Sequence, residues 1–557
     1  MTHEPLTIVV VGGVAGGASA ATRARRMNES AHIILLEKDE HVSFANCGLP
    51  YYIGREIEDR QALLVASAEF LTRRFRLDVR TRNEATRIDR RAKTVTVVNH
   101  GAGETYEQSY DRLILAPGAS PLVPPLDGLQ APGVFTLRNL EDTDRIDAAA
   151  AASRTKRVVV VGAGYIGLEM VEQFHRRGFQ VALAELQPRV APLFDPEMVV
   201  PLEASLRQRG VELHLGDGIA RVVTDTDGRA VGVELASGAT IEADLVILGL
   251  GVRPNTALAA EAGLAIGPDR GITVNRHLQT SDPDIYAAGD AIETPYGPTG
   301  KPMRVALAGP ANRAGRLAGE HAATGRSGEM ADVWGTSIVR VFDCVAAMTG
   351  LTMAAARRLN RPARSVTIIA KHHAGYYPGA QPMTLKLTFD PEAGRLLGAQ
   401  AVGGTGVDKR IDVVATALAF GGTVRDLAGL DLAYAPPLGA AKDPIHMAAF
   451  AACNQLDGID DFVDADTDLS GQQVVDVRNP DEIEALPLAG ADHAVAIPLD
   501  LLRQRLDQLD ASRPTVISCQ SGLRAHVAAR ILRQHGFQQV RNLSGGAMVR
   551  SRAWAVR

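Results

Sequence analysis

Arg157-Val158-Val159-Val160-Val161-Gly162-Ala163-Gly164-Tyr165-Ile166-Gly167-Leu168-Glu169 is an apolar run broken by three spaced glycines before a second apolar-patterned segment. The run reads as a buried strand, the glycines as a tight turn, and the rest as a helix lying close on the strand. A helix starting at such a turn aims free backbone N–H groups at an anion, and this spacing is the fingerprint of a pyrophosphate-binding βαβ unit. The next strand, residues 180–184, ends at Glu185. A carboxylate there accepts hydrogen bonds from a ribose 2′-hydroxyl and repels a 2′-phosphate, so NADH is expected over NADPH. Arg189, close by in sequence, keeps NADPH possible.

The same pattern occurs earlier. Residues 6–11 are apolar, Gly12-Gly13-Val14-Ala15-Gly16-Gly17 follows, an alanine-rich helix runs to about Met27, and a strand over 32–36 ends at Glu37-Lys38. Val14 stands where the second glycine of the fingerprint would be. Two such units in one chain point to two dinucleotides, FAD and a nicotinamide. Each unit is followed by a strand entering a small-residue turn, the first containing Ala116 and Gly118, the second spanning 243–251. Residues 284–291 form a short strand that turns at Gly289 into Asp290, which by itself reads equally as a helix cap or a ligand.

The rest of the composition bounds the reading. At 557 residues the chain holds several domains, and a net charge of −5 argues against general nucleic-acid binding. No apolar run is long enough for a membrane span. The start leads directly into a strand without a signal segment, so a cytoplasmic location is expected. Four cysteines, Cys47, Cys344, Cys453 and Cys519, lie far apart without a CxxC pair, which suits a reducing compartment. No close Cys/His cluster resembles a metal site. Cys47 is set in Ser43-Phe44-Ala45-Asn46-Cys47-Gly48-Leu49-Pro50-Tyr51-Tyr52, just past the first βαβ unit. Its reactive form is the thiolate, so a pocket that lowers its pKa is expected.

The order of these motifs resembles the two-dinucleotide flavoprotein disulfide reductases. The resemblance implies an α/β fold with two Rossmann-like domains: a discontinuous FAD domain over 1–120 and 250–328, and an NAD(P)H domain over 121–249. It also implies an α+β interface domain over 329–454 that forms a homodimer and completes each active site across the interface. Implied cofactor contacts are Gly12, Ala15, Gly16, Gly17, Glu37, Lys38, Ala116, Gly118, Gly162, Gly164, Gly167, Glu169, Glu185, Gly289, Asp290 and Asn312. With only Cys47 in place of a dithiol, the chain is similar to the single-cysteine branch, and Ser43–Tyr51 looks like the coenzyme A-disulfide reductase type. The oxidase and peroxidase type carries a histidine where this chain has Ala15.

Tyr376 and Tyr434 match family tyrosines that reach the partner's cysteine, and packing of the dimer face is their alternative role. Ser19, Arg23 and Arg26 share one helical face. Spacing alone leaves a solvated basic face open. The family match reads them, with Ser43, Asn46, Arg74 and Lys442, as coenzyme A contacts.

After an acidic stretch placed as a linker over 455–468, a strand at 473–477 and another at 515–518 lead into Cys519-Gln520-Ser521-Gly522-Leu523-Arg524. Residues 469–557 resemble a rhodanese domain. Cys519 lies at a strand-to-helix turn whose N–H groups cradle an anion, and Arg524 is expected to add positive charge. The sequence thus reads as a flavoprotein that uses NADH to reduce coenzyme A persulfide, polysulfide or coenzyme A disulfide through Cys47, with Cys519 handling sulfane sulfur. The alternatives are an NADH oxidase, a sulfurtransferase with the flavoprotein half as partner, and a redox sensor switched by Cys47.

Overall fold

The computed structural model describes residues 5–554. The chain divides into two compact units: up to Pro188 together with Gly210–Gly335, and Arg189–Arg209 together with Thr336 onward.

The first unit contains two parallel five-stranded sheets of one design. In one, Thr7–Val11 is the central strand, flanked by His32–Leu36 on one side and Arg112–Leu115 on the other. Asp78–Arg80 and Ile285–Ala287 form its edges. In the other, Arg157–Val161 is central, between Gln180–Glu185 and Leu245–Leu248, with Glu212–Leu215 and Val134–Thr136 outermost. The central strands are apolar on both faces because both are covered: Val159 and Val161 pack with the three-stranded antiparallel sheet of Ile219–Thr224, Ala230–Leu235 and Thr240–Glu242, and Val158–Val161 are all buried.

Each central strand ends in a glycine turn that only glycine can make. Gly12 and Gly162 have φ of +95° and +101°. A Cβ on them would lie 2.1 Å from the Ala116 carbonyl oxygen and 2.5 Å from that of Gly249. The helix Ala15–Met27 then packs backbone to backbone on Ala308–Thr324, since a Cβ on Gly315 or Gly319 would meet the carbonyl oxygen of Gly16 or Ala20 at 2.1 Å. This contact brings the first turn beside Gly289 and Asp290.

The second unit holds an antiparallel sheet in the order Ser337–Val341, Cys344–Gly350, Leu396–Gly403, Pro382–Phe389, Arg364–Lys371, and a separate parallel sheet over the C-terminal residues. It also takes in the helix Pro196–Gln208, which the sequence placed in the NAD(P)H domain. The reason is ionic. Lys386, inside the antiparallel sheet, bonds Asp195 at 2.7 Å and Glu197 at 2.6 Å, and Asp195 also accepts from Ala354 N–H and Gln400. A buried lysine with two carboxylates is secure only where each finds its partner. The 455–468 stretch also differs from a solvated linker. The helix Pro444–Leu456 occupies its start, Phe462–Val463 pairs with Val540–Leu543, and the buried Asp460 bonds His526 and Asn542.

Candidate active site

Cys47 lies in a single 3₁₀ turn, Asn46–Gly48, that runs into the short helix Leu49–Ile53. Ser43, four residues earlier, takes φ +47°, and its N–H bonds the Gly13 carbonyl at 2.8 Å, so the cysteine segment is fastened to the first glycine turn. The Cys47 sulfur is exposed, with Asn46 Oδ1 at 3.8 Å. Surrounding protein pushes the thiol above the usual cysteine range, the charges of Glu169 and Asp290 push it further, and Arg138 pulls it back. The thiolate-favouring pocket expected from sequence is therefore not made by this chain alone, because burial, seconded by two carboxylates, outweighs one guanidinium.

A cavity of about 990 Å³ opens over the first turn. Gly12, Ala15, Gly16, Glu37, Lys38, Ala116, Gly118, Gly289 and Asp290 line it, as the resemblance implied for the cofactor, and so does Asn46, expected as a coenzyme A contact. Its size suits a dinucleotide. Glu37, though burial pushes its carboxyl up, accepts N–H bonds from Gly13 at 2.7 Å and Asp39 at 3.0 Å, which fix its position at the end of its strand. Asp290 faces the cavity, raised by burial and held back by Arg138 and Arg304. The open turn, fixed acid and polyol-facing carboxylate fit FAD. Gly17 packs beneath the turn, a Cβ there meeting the Gly12 carbonyl at 1.7 Å, and Asn312 instead accepts from Ser19 Oγ at 2.6 Å.

Two lining residues carry no local motif. Arg138 lies just past the strand Val134–Thr136, its guanidinium close over Gly118, and Asn255 donates to the Pro117 carbonyl while accepting from Ser120. Both lie well along the chain from the first turn and enter the site only through the tertiary fold.

The second turn repeats the geometry of the first. Ala163 N–H donates to Glu185 at 2.6 Å and Gln187 N–H to its other oxygen at 2.8 Å. A Cβ on Gly167 would lie 1.9 Å from the Gly162 carbonyl, while the space beside Gly164 is open, as a phosphate approach requires. Glu169, on the helix Tyr165–Arg176, accepts from Tyr51 Oη at 3.0 Å. That bond ties the helix behind the second turn to the short helix that follows the Cys47 turn.

The expected coenzyme A contacts are only partly free. Arg23 is committed to Glu320 at 2.5 Å, Arg26 bonds the Thr22 carbonyl and lies over Phe75, and Arg74 stacks on Phe70. The Arg23 pairing departs from the expectation of an open phosphate reader: a carboxylate on the neighbouring helix neutralises it.

In the second unit, Tyr376 and Tyr434 stand exposed with their hydroxyls 3.1 Å apart, and Lys442 is exposed near them in sequence. The shared hydrogen bond raises the Tyr434 hydroxyl. At the C-terminus, the strand Thr515–Ser518 runs into the turn of Cys519, whose side chain is 1% exposed and accepts the Gly522 N–H at 3.1 Å. Arg524, expected to add positive charge, is fixed by an ion pair. Glu482 takes it in a fork at 2.7 and 2.5 Å, and this holds the Glu482 carboxyl down to about 2. Arg478 is likewise clamped by Asp476 and touches Gln520 of the loop at 3.3 Å.

Among the described residues no helix is long and apolar enough to cross a membrane.

Paired glycine turns, a lone thiol beside one of them and a sulfur nest at the far end define a two-dinucleotide redox protein fused to a sulfurtransferase fold. Residues 6–311 match the pyridine nucleotide-disulphide oxidoreductase model, 336–444 its dimerisation domain and 461–549 the rhodanese-like domain. The chain belongs to the pyridine nucleotide-disulphide oxidoreductases. It is a FAD-dependent enzyme of NAD(H)-linked chemistry. Coenzyme A disulfide reductase of Staphylococcus epidermidis is 36% identical over 80% of this chain and 99% of its own, and that of Staphylococcus aureus 37% over the same shares. The crystal structure of reduced Bacillus anthracis CoADR-RHD is similar at TM-score 0.96 and 43% identity, covering 99% of both chains. A NAD-dependent persulfide reductase from A. fulgidus is similar at TM-score 0.90 and 36% identity, covering 98% of this chain and 100% of that one.

Proposed function

We propose that the chain reduces coenzyme A disulfide, coenzyme A persulfide or polysulfide with NADH, through Cys47, and that Cys519 handles sulfane sulfur. The observation that carries this reading is one thiol fastened to the first glycine turn, in a unit with no second cysteine to form an internal disulfide. FAD held by Glu37, Asp290 and the first turn would supply the electron pair that NADH delivers.

Cys47, as thiolate, attacks one sulfur of R–S–S–R′, and R′–S⁻ leaves, as sulfide when the substrate is a persulfide. Two electrons then break the Cys47–S–S–R bond, returning the thiolate and R–S⁻. The sum is NADH, a proton and a disulfide giving NAD⁺ and two thiols. Tyr376 and Tyr434 donate hydroxyl hydrogen bonds to the leaving sulfur. In the homodimer that the dimerisation domain forms, the tyrosine pair of one chain serves the sulfur of the other. Their support is their exposure and their paired hydroxyls. Ser19, Ser43, Asn46, Arg26, Arg74 and Lys442 bind coenzyme A, with arginine suited to its phosphates. Glu185, fixed by two N–H bonds, favours NADH. Cys519 accepts the outer sulfur of R–S–SH, releasing R–S⁻, in the nest that Gly522 N–H supplies.

The test is NADH oxidation with coenzyme A disulfide, coenzyme A persulfide, polysulfide or dioxygen, using wild type and Cys47→Ser. Sulfur-dependent turnover is expected only with Cys47 present. Persistence of turnover in Cys47→Ser, or rapid oxygen uptake without a sulfur substrate, would overturn the proposal.

A further inference from the structure

Two exposed tyrosine side chains hold their hydroxyls in contact only if the segments under them are fixed to each other. Tyr376 sits in the loop between Arg364–Lys371 and Pro382–Phe389, and Tyr434 in the coil between Val424–Ala428 and Pro444–Leu456, which also carries Lys442. The coil has no regular structure of its own. What joins it to the loop is buried beneath both.

Arg410, on the helix Val407–Ala419, is 1% exposed. Its Nη2 donates to the His372 carbonyl at 2.7 Å, in the Tyr376 loop. Its Nε and Nη2 fork onto Asp443 at 3.2 and 2.7 Å, at the end of the Tyr434 coil and next to Lys442. Its Nη1 reaches the Gly406 carbonyl at 3.2 Å. Asp443 in turn accepts the Ile445 N–H at 3.0 Å, which starts the next helix, and Ala374 N–H donates to the Gly439 carbonyl at 2.8 Å. A cation this deep needs all of these acceptors, and removing one partner leaves an uncompensated charge. Only a planar fork spans a carboxylate and a carbonyl on two segments at once, so lysine does not substitute.

We propose that Arg410, paired with Asp443, is a positioning residue that sets Tyr376, Tyr434 and Lys442 relative to one another, without touching a reacting atom. This rests on the reading of the tyrosines as hydroxyl donors to the leaving sulfur. Displacement of such donors by about 1 Å costs on the order of 10²-fold in rate.

The experiment uses the full-length holoenzyme in Arg410→Lys and Asp443→Asn forms, the second keeping the shape of the acid if the first folds poorly. Fluorotyrosine NMR, assigned with Tyr376→Phe and Tyr434→Phe, reads the hydroxyl contact directly. In wild type the Tyr434 resonance is expected to titrate above an ordinary tyrosine, because of its bond to Tyr376. In both variants it is expected to fall to the ordinary range, with kcat for coenzyme A disulfide down about 10- to 100-fold. In the Tyr376→Phe/Tyr434→Phe background, Arg410→Lys is expected to cost nothing further in kcat, its remaining effect through Lys442 falling on KM for the coenzyme A substrate. An unchanged Tyr434 titration in both variants would overturn the positioning role, as would an equal loss from Arg410→Lys with and without the tyrosines. Collapse of the titration with turnover intact would sustain the placement and remove the hydroxyls from the chemistry instead.

Discussion

Cys47 and Cys519 each stand at a turn that leads into a helix, yet the chain treats the two sulfurs differently. At Cys519 the backbone does the work: Gly522 N–H points at the sulfur at 3.1 Å, and the two arginines nearest the loop are clamped by Glu482 and Asp476. At Cys47 no backbone donor is directed at the sulfur among the described contacts, and Glu169 and Asp290 press the thiol upward. The lesson is that one sulfur has a directed backbone donor in its own loop, while the other has none and, on the proposed function, is left to be activated by what binds beside it. A sulfur that must exchange electrons with a bound cofactor gains from lying idle until that cofactor and its reductant arrive.

The sharpest way to break this contrast is exchange of function. Cys47→Ser is expected to lower NADH-dependent reduction of coenzyme A disulfide by about 10³-fold or more, the scale of losing a covalent nucleophile. Cys519→Ser should leave that activity and abolish sulfur transfer from a persulfide to cyanide. Loss of both activities in either variant would mean that the two sulfurs act as one site.

A smaller effect is expected at the clamp. Glu482→Gln removes the charged half of the Arg524 fork and should cut sulfur transfer roughly 10-fold, the scale of one lost charge-assisted bond. Cys47 chemistry should not change. The same pair gives a pH signature. The Glu482 carboxyl is depressed to about 2, so the stabilisation it lends is complete above the ordinary glutamate pKa and is lost as pH falls towards 2. Thermal unfolding followed from pH 5 to pH 2 should show the stability difference between wild type and Glu482→Gln shrinking as pH falls towards 2.

The smallest effect concerns Glu169. Glu169→Gln deletes a charge that holds the Cys47 thiol up, so alkylation of Cys47 in the cofactor-free chain should shift to lower pH and quicken a few-fold near neutrality. Iodoacetamide labelling followed by mass spectrometry reads it. A shift to higher pH would reverse the sign of the electrostatic account.

Much of the molecule was legible because its signals are local. An apolar run, three glycines and an acid at the end of the next strand span few enough residues for sequence to specify turn, helix and ribose acceptor together, and Glu37 and Glu185 stand where that spacing put them. The CxxGxR loop is local in the same way, so its nest was foreseen. The electrostatics were not. The sequence carries no sign that Arg23 pairs with Glu320, on a helix from the far end of the same unit, or Arg524 with Glu482. The acidic 455–468 stretch looked solvated, yet Asp460 is buried against His526.

What the sequence determined by itself was the pair of glycine turns and the CxxGxR loop, since each is written in backbone conformation over a short span, together with the single cysteine of the first unit. Only the tertiary structure decided which charges remain available: Arg138 facing the cavity, Glu169 held by Tyr51, and Arg410 bracing two tyrosine loops from below. A charge takes its meaning from its nearest opposite, and in a folded chain that neighbour is set by packing rather than by position along the sequence.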